Sequence, residues 1–405
     1  VANATFQRSP MGANTWTTIG SPDTTSPYSV TWDTTAVADG QYDLRVVTTD
    51  NAGNAFTSPT ITVRVDNTAP SIVGNATGTV GSNGWYTTNV GLTWTVTDPG
   101  SGVATQTNCG AQSVTSDTTG TSFTCSATDN AGNSGSGTVT IKRDTVNPTG
   151  AITAPAASAR VGGSSVAITS SSADATSGVA SAVFQRSPAG TNTWTTIATD
   201  TSSPWTTTWN TTALANGNYD LRVVTTDNAG LTFTSPSVTV TVDNTKPVPT
   251  GLTLNNGSGQ TLGQVNNGDY VTITYSEALD VNSICSQWSG SGDKSLTGVT
   301  VTMSTSDVLT FANSSCTAGL DIGSVTTNGN YNSSSSSSRT WSSSTVTWTA
   351  ATNTLTITLG TGSGGTAATG VSASTPTYTP DTNIADLAGN TMNNTTFSAP
   401  STSRF

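Results

Sequence analysis

The chain has 405 residues, a formal net charge of −11, 33% apolar and only 9% charged residues, and no histidine. Without a basic patch to neutralise phosphates, nucleic acid is not expected as a partner. Without imidazole, His-based triads, imidazole general bases and His-containing zinc sites are all excluded.

The length suits about two to four domains. Scarce charge, with Trp, Val, Ile and Tyr recurring throughout, argues for folded β-structure and against disorder. The acids are 22 Asp and one Glu; Asp sits in turns and ligates Ca²⁺ on short loops, whereas Glu belongs more to helices. No apolar run is long enough to span a membrane, and no signal peptide is visible. The chain starts at Val1 without Met, which suggests a mature or excised piece of something larger. Four cysteines form two local sets, Cys109/Cys125 and Cys285/Cys316, without CxxC spacing. Zinc and thioredoxin chemistry lack support, and the local pairing is expected, one bridge per domain. Each bridge would add ~2–4 kcal/mol and implies an oxidising compartment.

Residues 1–68 carry strand text. Tyr28, Val30 and Trp32 alternate with small polar residues, as do Tyr42, Leu44, Val46 and Thr48 with their neighbours, and Ile61, Val63 and Val65 follow. This period of two marks half-buried antiparallel strands. Asp66-Asn67-Thr68-Ala69-Pro70 then stops the chain.

Residues 69–146 form a shorter domain. Leu92, Trp94 and Val96 lead to a turn at Asp98; Phe123, Cys125 and Ala127 lead to Asp129-Asn130-Ala131-Gly132; Val139 and Ile141 end it. Counted back from the turn aspartate, Cys125 matches Val46 and Val223 and so faces the core, with Cys109 meeting it from a neighbouring strand.

Residues 147–245 repeat the first domain. Phe6 and Phe184 are 178 residues apart, Asp50 and Asp227 are 177 apart, and this period is a whole domain rather than a solenoid unit. Val166 and Ile168 form an early strand, Asp174 opens a turn, and Trp205, Thr207 and Trp209 match Tyr28, Val30 and Trp32. Aligned on the repeat, Val1 falls near Val179, so the first copy lacks the counterpart of roughly residues 147–178. Removal of preceding residues is the plain explanation; donor-strand completion by another chain is the sharper one.

Residues 246–405 diverge. Val271, Ile273 and Tyr275 precede Ser276-Glu277-Ala278-Leu279-Asp280, Leu355, Ile357 and Leu359 form another strand, Ser333–Ser338 reads as a solvated loop, and Asp386-Leu387-Ala388-Gly389 is a fourth D-x-A-G turn. No amphipathic helical period appears. Short strands at turn-punctuated spacing predict tandem all-β antiparallel sandwiches, joined into a rod by short Pro-stiffened linkers. The G-x-Y-D-L-R-V text at Gly40–Val46 and Gly217–Val223 predicts a tyrosine corner.

P-Y-S-V-T-W-D-T-T, G-Q-Y-D-L-R-V-V-T-T-D-N-A-G-N and D-N-T-A-P together resemble the bacterial immunoglobulin-like domains strung along secreted enzymes and giant adhesins. Residues 69–146 are similar to cysteine-bearing variants, and Y-S-E-A-L-D with D-L-A-G-N-T-M resembles immunoglobulin-like domains of surface-layer and other cell-surface proteins. The resemblance implies a stalk, adhesin or filament subunit, extracellular or at the cell surface, whose partner is an unknown surface ligand or another copy of the chain. The competing class is a carbohydrate-binding accessory region of a secreted enzyme, in which Trp16 and Trp194 would touch glycan. Trp32, Trp94, Trp205 and Trp209 are in phase with the core, whereas Trp85, Trp288, Trp341 and Trp348 have no assignment from pattern.

No catalytic residue is assigned, and the chain is read as non-enzymatic. Glu277 and Asp280 are the nearest approach to a glycosidase pair, but they sit in a strand-end turn, and serine nucleophiles have no histidine base. Metal is different. Each linker and the two loops at the same pole of the next sandwich supply acids: Asp66, Asp98 and Asp129; Asp144, Asp174 and Asp227; Asp243, Asp280 and Asp386, with Glu277 nearby. Such triads repel unless a cation sits among them, so Ca²⁺ is expected at the junctions, with Asn67, Asn130 and Asn244 completing the shell. Asx turns are the alternative use of the same aspartates.

Overall fold

The computed structural model describes residues 1–317, 319–333 and 336–405. Ser334 and Ser335 of the serine run lie outside the described residues. Two compact units divide the chain. One holds Val1–Pro148, Ala173–Ala180 and Thr226–Phe233, the other Thr149–Ser172, Ser181–Thr225 and Thr234–Phe405. The fold is all-β. Among the described residues the only helical elements are the short 3₁₀ turns Val281–Ser283 and Ala350–Thr352, and no helix is long and apolar enough to cross a membrane.

In the first unit, the opening repeat makes one five-stranded sheet. Thr17–Thr18, Asn3–Pro10, Gly40–Thr49 and Ala55–Thr57 lie side by side, and Ile61–Val65 also pairs with Gly40–Thr49. Phe6 stands opposite Val46 and Arg8 opposite Leu44. The strand expected at Tyr28–Trp32 does not form, since residues 28–34 join no ladder. Its counterpart Thr206–Trp209 is a strand because it pairs with Val166–Ser170, Trp209 opposite Val166 and Thr207 opposite Ile168. Among the described residues the first copy has no such neighbour to receive its N–H and C=O groups. The core differs accordingly. Phe184, Leu221 and Val223 are fully buried, while Phe6, Leu44 and Val46 are half-buried and line an open groove with Val30 and Trp32. Full burial of each such side chain stabilises by ~1.5–3 kcal/mol.

The same unit contains a two-sheet sandwich. Gln112–Val114, Val90–Thr97 and Ser71–Thr77 form one layer; Trp85–Tyr86, Ser134–Arg143, Thr118–Asp129 and Val103–Thr107 form the other. Val90, Leu92, Val114 and Ile141 fill the space between them. Cys125 is fully buried and bridges to Cys109, just past Val103–Thr107, with the Cα atoms 4.7 Å apart.

In the second unit, Ile152–Ala154, Val166–Ser170 and Thr206–Trp209 share a core with the strand residues 181–188, 217–225 and 238–242. Two short pairings depart from the antiparallel expectation: Arg160–Val161 runs parallel to Thr241–Val242, and in the first unit Trp85–Tyr86 runs parallel to Lys142–Arg143. Residues 249–398 supply a single ten-stranded sheet, and the buried residues of this region form one core. Trp288, Trp341 and Trp348 are buried there, and Trp85 is buried in the preceding unit, which assigns all four to packing. Trp209 is buried, whereas Trp32, Trp94 and Trp205 are half-buried. Cys285 bridges Cys316 with the Cα atoms 5.1 Å apart. The tyrosine corners are present: Tyr42 Oη donates to the Ala38 carbonyl at 3.0 Å, and Tyr219 Oη to that of Ala215 at 3.2 Å.

Candidate cation sites

Three acidic triads form, each within one unit. They are Asp66, Asp98 and Asp129; Asp144, Asp174 and Asp227; and Asp243, Glu277 and Asp386. In each, one oxygen per residue lies within 4.8 Å of the others, and the first and third acids are buried. Two unit charges at that separation repel by about 1 kcal/mol in water and by ~3–4 kcal/mol at an effective dielectric of 20.

Local geometry places each acid. The linker aspartates follow the last strand of a sandwich and turn inward: Asp66 accepts from the main-chain N–H groups of Thr68 and Ser101, and Asp144 from those of Val146 and Ser177, both at 3.1 Å. The loop aspartates Asp98 and Asp174 accept from Gly102 at 2.7 Å and Gly178 at 2.8 Å through Oδ1. The turn aspartates accept the N–H four residues on: Asn133 to Asp129 at 2.8 Å, Leu231 to Asp227 at 2.9 Å, Asn390 to Asp386 at 2.9 Å. The expected Asx turns are therefore present, and they orient the carboxylates rather than replace the triads.

The third triad differs from expectation. Asp280 caps the 3₁₀ turn Val281–Ser283 by accepting from the Asn282 N–H at 3.1 Å and stays outside the triad; Glu277, three residues earlier, takes the place. The longer side chain reaches what Asp280, committed to its cap, does not. Asp243 also accepts from Asn216 Nδ2 at 2.8 Å and has Arg160 Nη1 3.6 Å from Oδ2. Burial, then the Asp243 and Asp386 charges, push the Glu277 carboxyl up to about 7. Burial also pushes Asp227 above its ordinary range, with Asp144 and Asp174 adding to the effect.

The amide nitrogens of Asn67, Asn130 and Asn244 donate to main-chain carbonyls, not to the triad acids. Asn67 Nδ2 donates to the carbonyls of Thr34 and Val37, Asn130 Nδ2 to Ser101 and Gly102, and Asn244 Nδ2 to Thr211 and Leu214. Asn133 and Asn390 do approach them; the fifth letter of the D-x-A-G-x turn was the signal for both.

Trp16 and Trp194 are half-buried, with the guanidinium of Arg45 3.9 Å and that of Arg222 4.0 Å from their ring centres.

Family profiles match this chain in two ways. Residues 148–223 match the bacterial Ig domain, and residues 26–101 and 203–308 match the bacterial Ig-like domain (group 3). Residues 26–101 and 148–308 thus match bacterial immunoglobulin-like domains. No curated protein matches it. Among solved structures it is similar to the tetra-tandem repeat in the extending region of a large adhesion protein, at 16% identity over 90% of this chain and 91% of that one, TM-score 0.28. The fibronectin(III)-like modules of Clostridium thermocellum CbhA are 23% identical over 23% of this chain and 94% of theirs, TM-score 0.19. Domains A168–A170 of titin are 14% identical over 78% of this chain and 95% of theirs, TM-score 0.25.

Proposed function

We propose that the chain is a structural, adhesive segment of a bacterial extracellular or cell-surface protein, with its acidic triads holding Ca²⁺. The recurrence of one device carries this reading: three times, a linker aspartate meets two acids from the region that follows it. A turn needs one aspartate; three within reach of one cation are costly unless the cation is there. Two disulfides fit an oxidising, extracellular setting. The matched families are consistent with a spacer or adhesin role, since such folds carry many functions and the site must choose among them.

Ligand that binds only the folded state stabilises it by about 2.7 kcal/mol at 100 times its dissociation constant. Thermal midpoints of the full chain should therefore rise with Ca²⁺ and fall with chelator. Asp66→Ala, Asp144→Ala and Asp243→Ala should each remove part of the Ca²⁺ response without unfolding the chain. Midpoints indifferent to both Ca²⁺ and chelator would return the aspartates to turn-making alone.

A further inference from the structure

The four D-x-A-G turns share Asp, Ala and Gly and differ at the second position, where Leu387 replaces asparagine in the fourth, and at the fifth. In three, the residue four past the aspartate is asparagine: Asn54, Asn133 and Asn390. Each donates Nδ2 to Oδ2 of its own turn aspartate, at 2.9 Å to Asp50 and 2.8 Å to Asp129 and Asp386. In the first and third triads the same amide also donates to the main-chain carbonyl of the linker aspartate, at 3.0 Å to Asp66 and 2.9 Å to Asp243. One carboxylate oxygen and one carbonyl are thereby occupied by protein.

In the second triad that residue is Leu231. Its side chain has no donor for either group, and its main-chain N–H goes to Asp227 Oδ1. Asp227 is 1% exposed, and its Oδ2 is buried without a hydrogen-bond partner. A buried carboxylate oxygen left without a donor is strongly unfavourable. The donors to Asp174 likewise all go to Oδ1. The first triad also has a buried oxygen without a partner, Asp98 Oδ2, but both oxygens of its Asp129 are engaged. The third has Arg160 beside Asp243 as an internal cation. The spacing suits a cation: two oxygens bound to one Ca²⁺ at about 2.4 Å lie at most ~4.8 Å apart, the limit within which the triad oxygens sit.

Resting on the Ca²⁺ reading above, we propose that Asp144, Asp174 and Asp227 form the tightest cation site of the chain, and that residue 231 sets this rank. Leucine there leaves Asp227 Oδ2 and the Asp144 carbonyl for a hard divalent ion, where asparagine would fill both. Residue 231 is a positioning residue: it acts by withholding an amide.

Calorimetric titration of the chelator-stripped, full-length chain with CaCl₂ tests this. Asp227→Asn should abolish the tightest event. Leu231→Asn should weaken it about tenfold, the equivalent of ~1.4 kcal/mol. The reciprocal Asn133→Leu should strengthen the event at Asp66, Asp98 and Asp129 by a similar factor, and it remains informative if Leu231→Asn fails to fold. Circular dichroism in chelator checks the fold of each variant. Ca²⁺ binding that ignores both Leu231→Asn and Asn133→Leu overturns the ranking and leaves the broader reading standing. An absence of Ca²⁺ binding in every form overturns both.

Discussion

The guanidinium of Arg222 stacks 4.0 Å from the centre of the Trp194 ring while Gln185 Oε1 accepts from its Nε at 2.8 Å. The first repeat reproduces the arrangement with Arg45, Trp16 and Gln7. One face of each indole is thus already covered, and a sugar ring stacks on such a face. Arg222→Ala should cost ~0.5–1 kcal/mol, read from the denaturant midpoint. Glycan-array signals should be the same for Trp194→Ala and the unmodified chain. Signals that vanish with that substitution would assign the ring to sugar contact.

The tyrosine corners offer a matched pair. Tyr219→Phe and Tyr42→Phe each delete one hydroxyl donor to a main-chain carbonyl. Each should cost about 1 kcal/mol, the usual net worth of such a bond. Urea titration gives the value. Two unchanged midpoints would mean that water replaces the bond fully.

Reduction should destabilise both disulfide-bearing regions, unequally. The bridges span 16 and 31 residues. On loop-closure entropy each is worth ~3 kcal/mol, the longer by ~0.6 kcal/mol more. Cys→Ala pairs followed by thermal melting measure the two separately, and equal losses would contradict the loop-length account.

Acid should act in two directions in the absence of Ca²⁺. Glu277 holds its proton to about pH 7 in the fold, against an ordinary value of 4.5. Below 4.5 both folded and unfolded chains are protonated there. As pH rises from that value towards 7 the unfolded chain releases the proton first, so stability declines across this window. Asp50 and Asp200 run the other way: hydrogen bonds, led by those from Asn54 and Thr206, hold them below their ordinary 3.8, and their contribution disappears as pH falls below it. Glu277→Gln should flatten the upper slope in midpoint-against-pH curves and leave the acid limb unchanged.

Much of the fold was legible because alternation and core phase coincide. Leu44 and Val46, Phe123 and Cys125, and Val271 and Ile273 all lie in strands. Tyr28–Trp32 shows where the pattern is insufficient: alternation without a neighbouring strand to complete the ladder makes no strand. The last region hid its core because Trp341 and Trp348 share one strand, Arg339–Thr349, of an unusually wide sheet. Of the nine aspartates named from linker and turn positions, eight come together in the triads. Asp280 does not, because a 3₁₀ cap competes for it, and the asparagine or leucine at the fifth turn position matters only once its amide is seen to bridge two acids.

The parallel pairings bear on tension. Arg160–Val161 lies along Thr241–Val242, and Trp85–Tyr86 along Lys142–Arg143, so an early segment of each sandwich is bonded to its closing strand. Stretching a sandwich by its two ends drags these partners past each other along their length. The bonds are then loaded together in shear instead of being peeled open one at a time. Rupture under force follows the unfolding barrier rather than the equilibrium stability. Each two-residue clasp therefore contributes more to endurance under a pull than its share of the fold's free energy suggests.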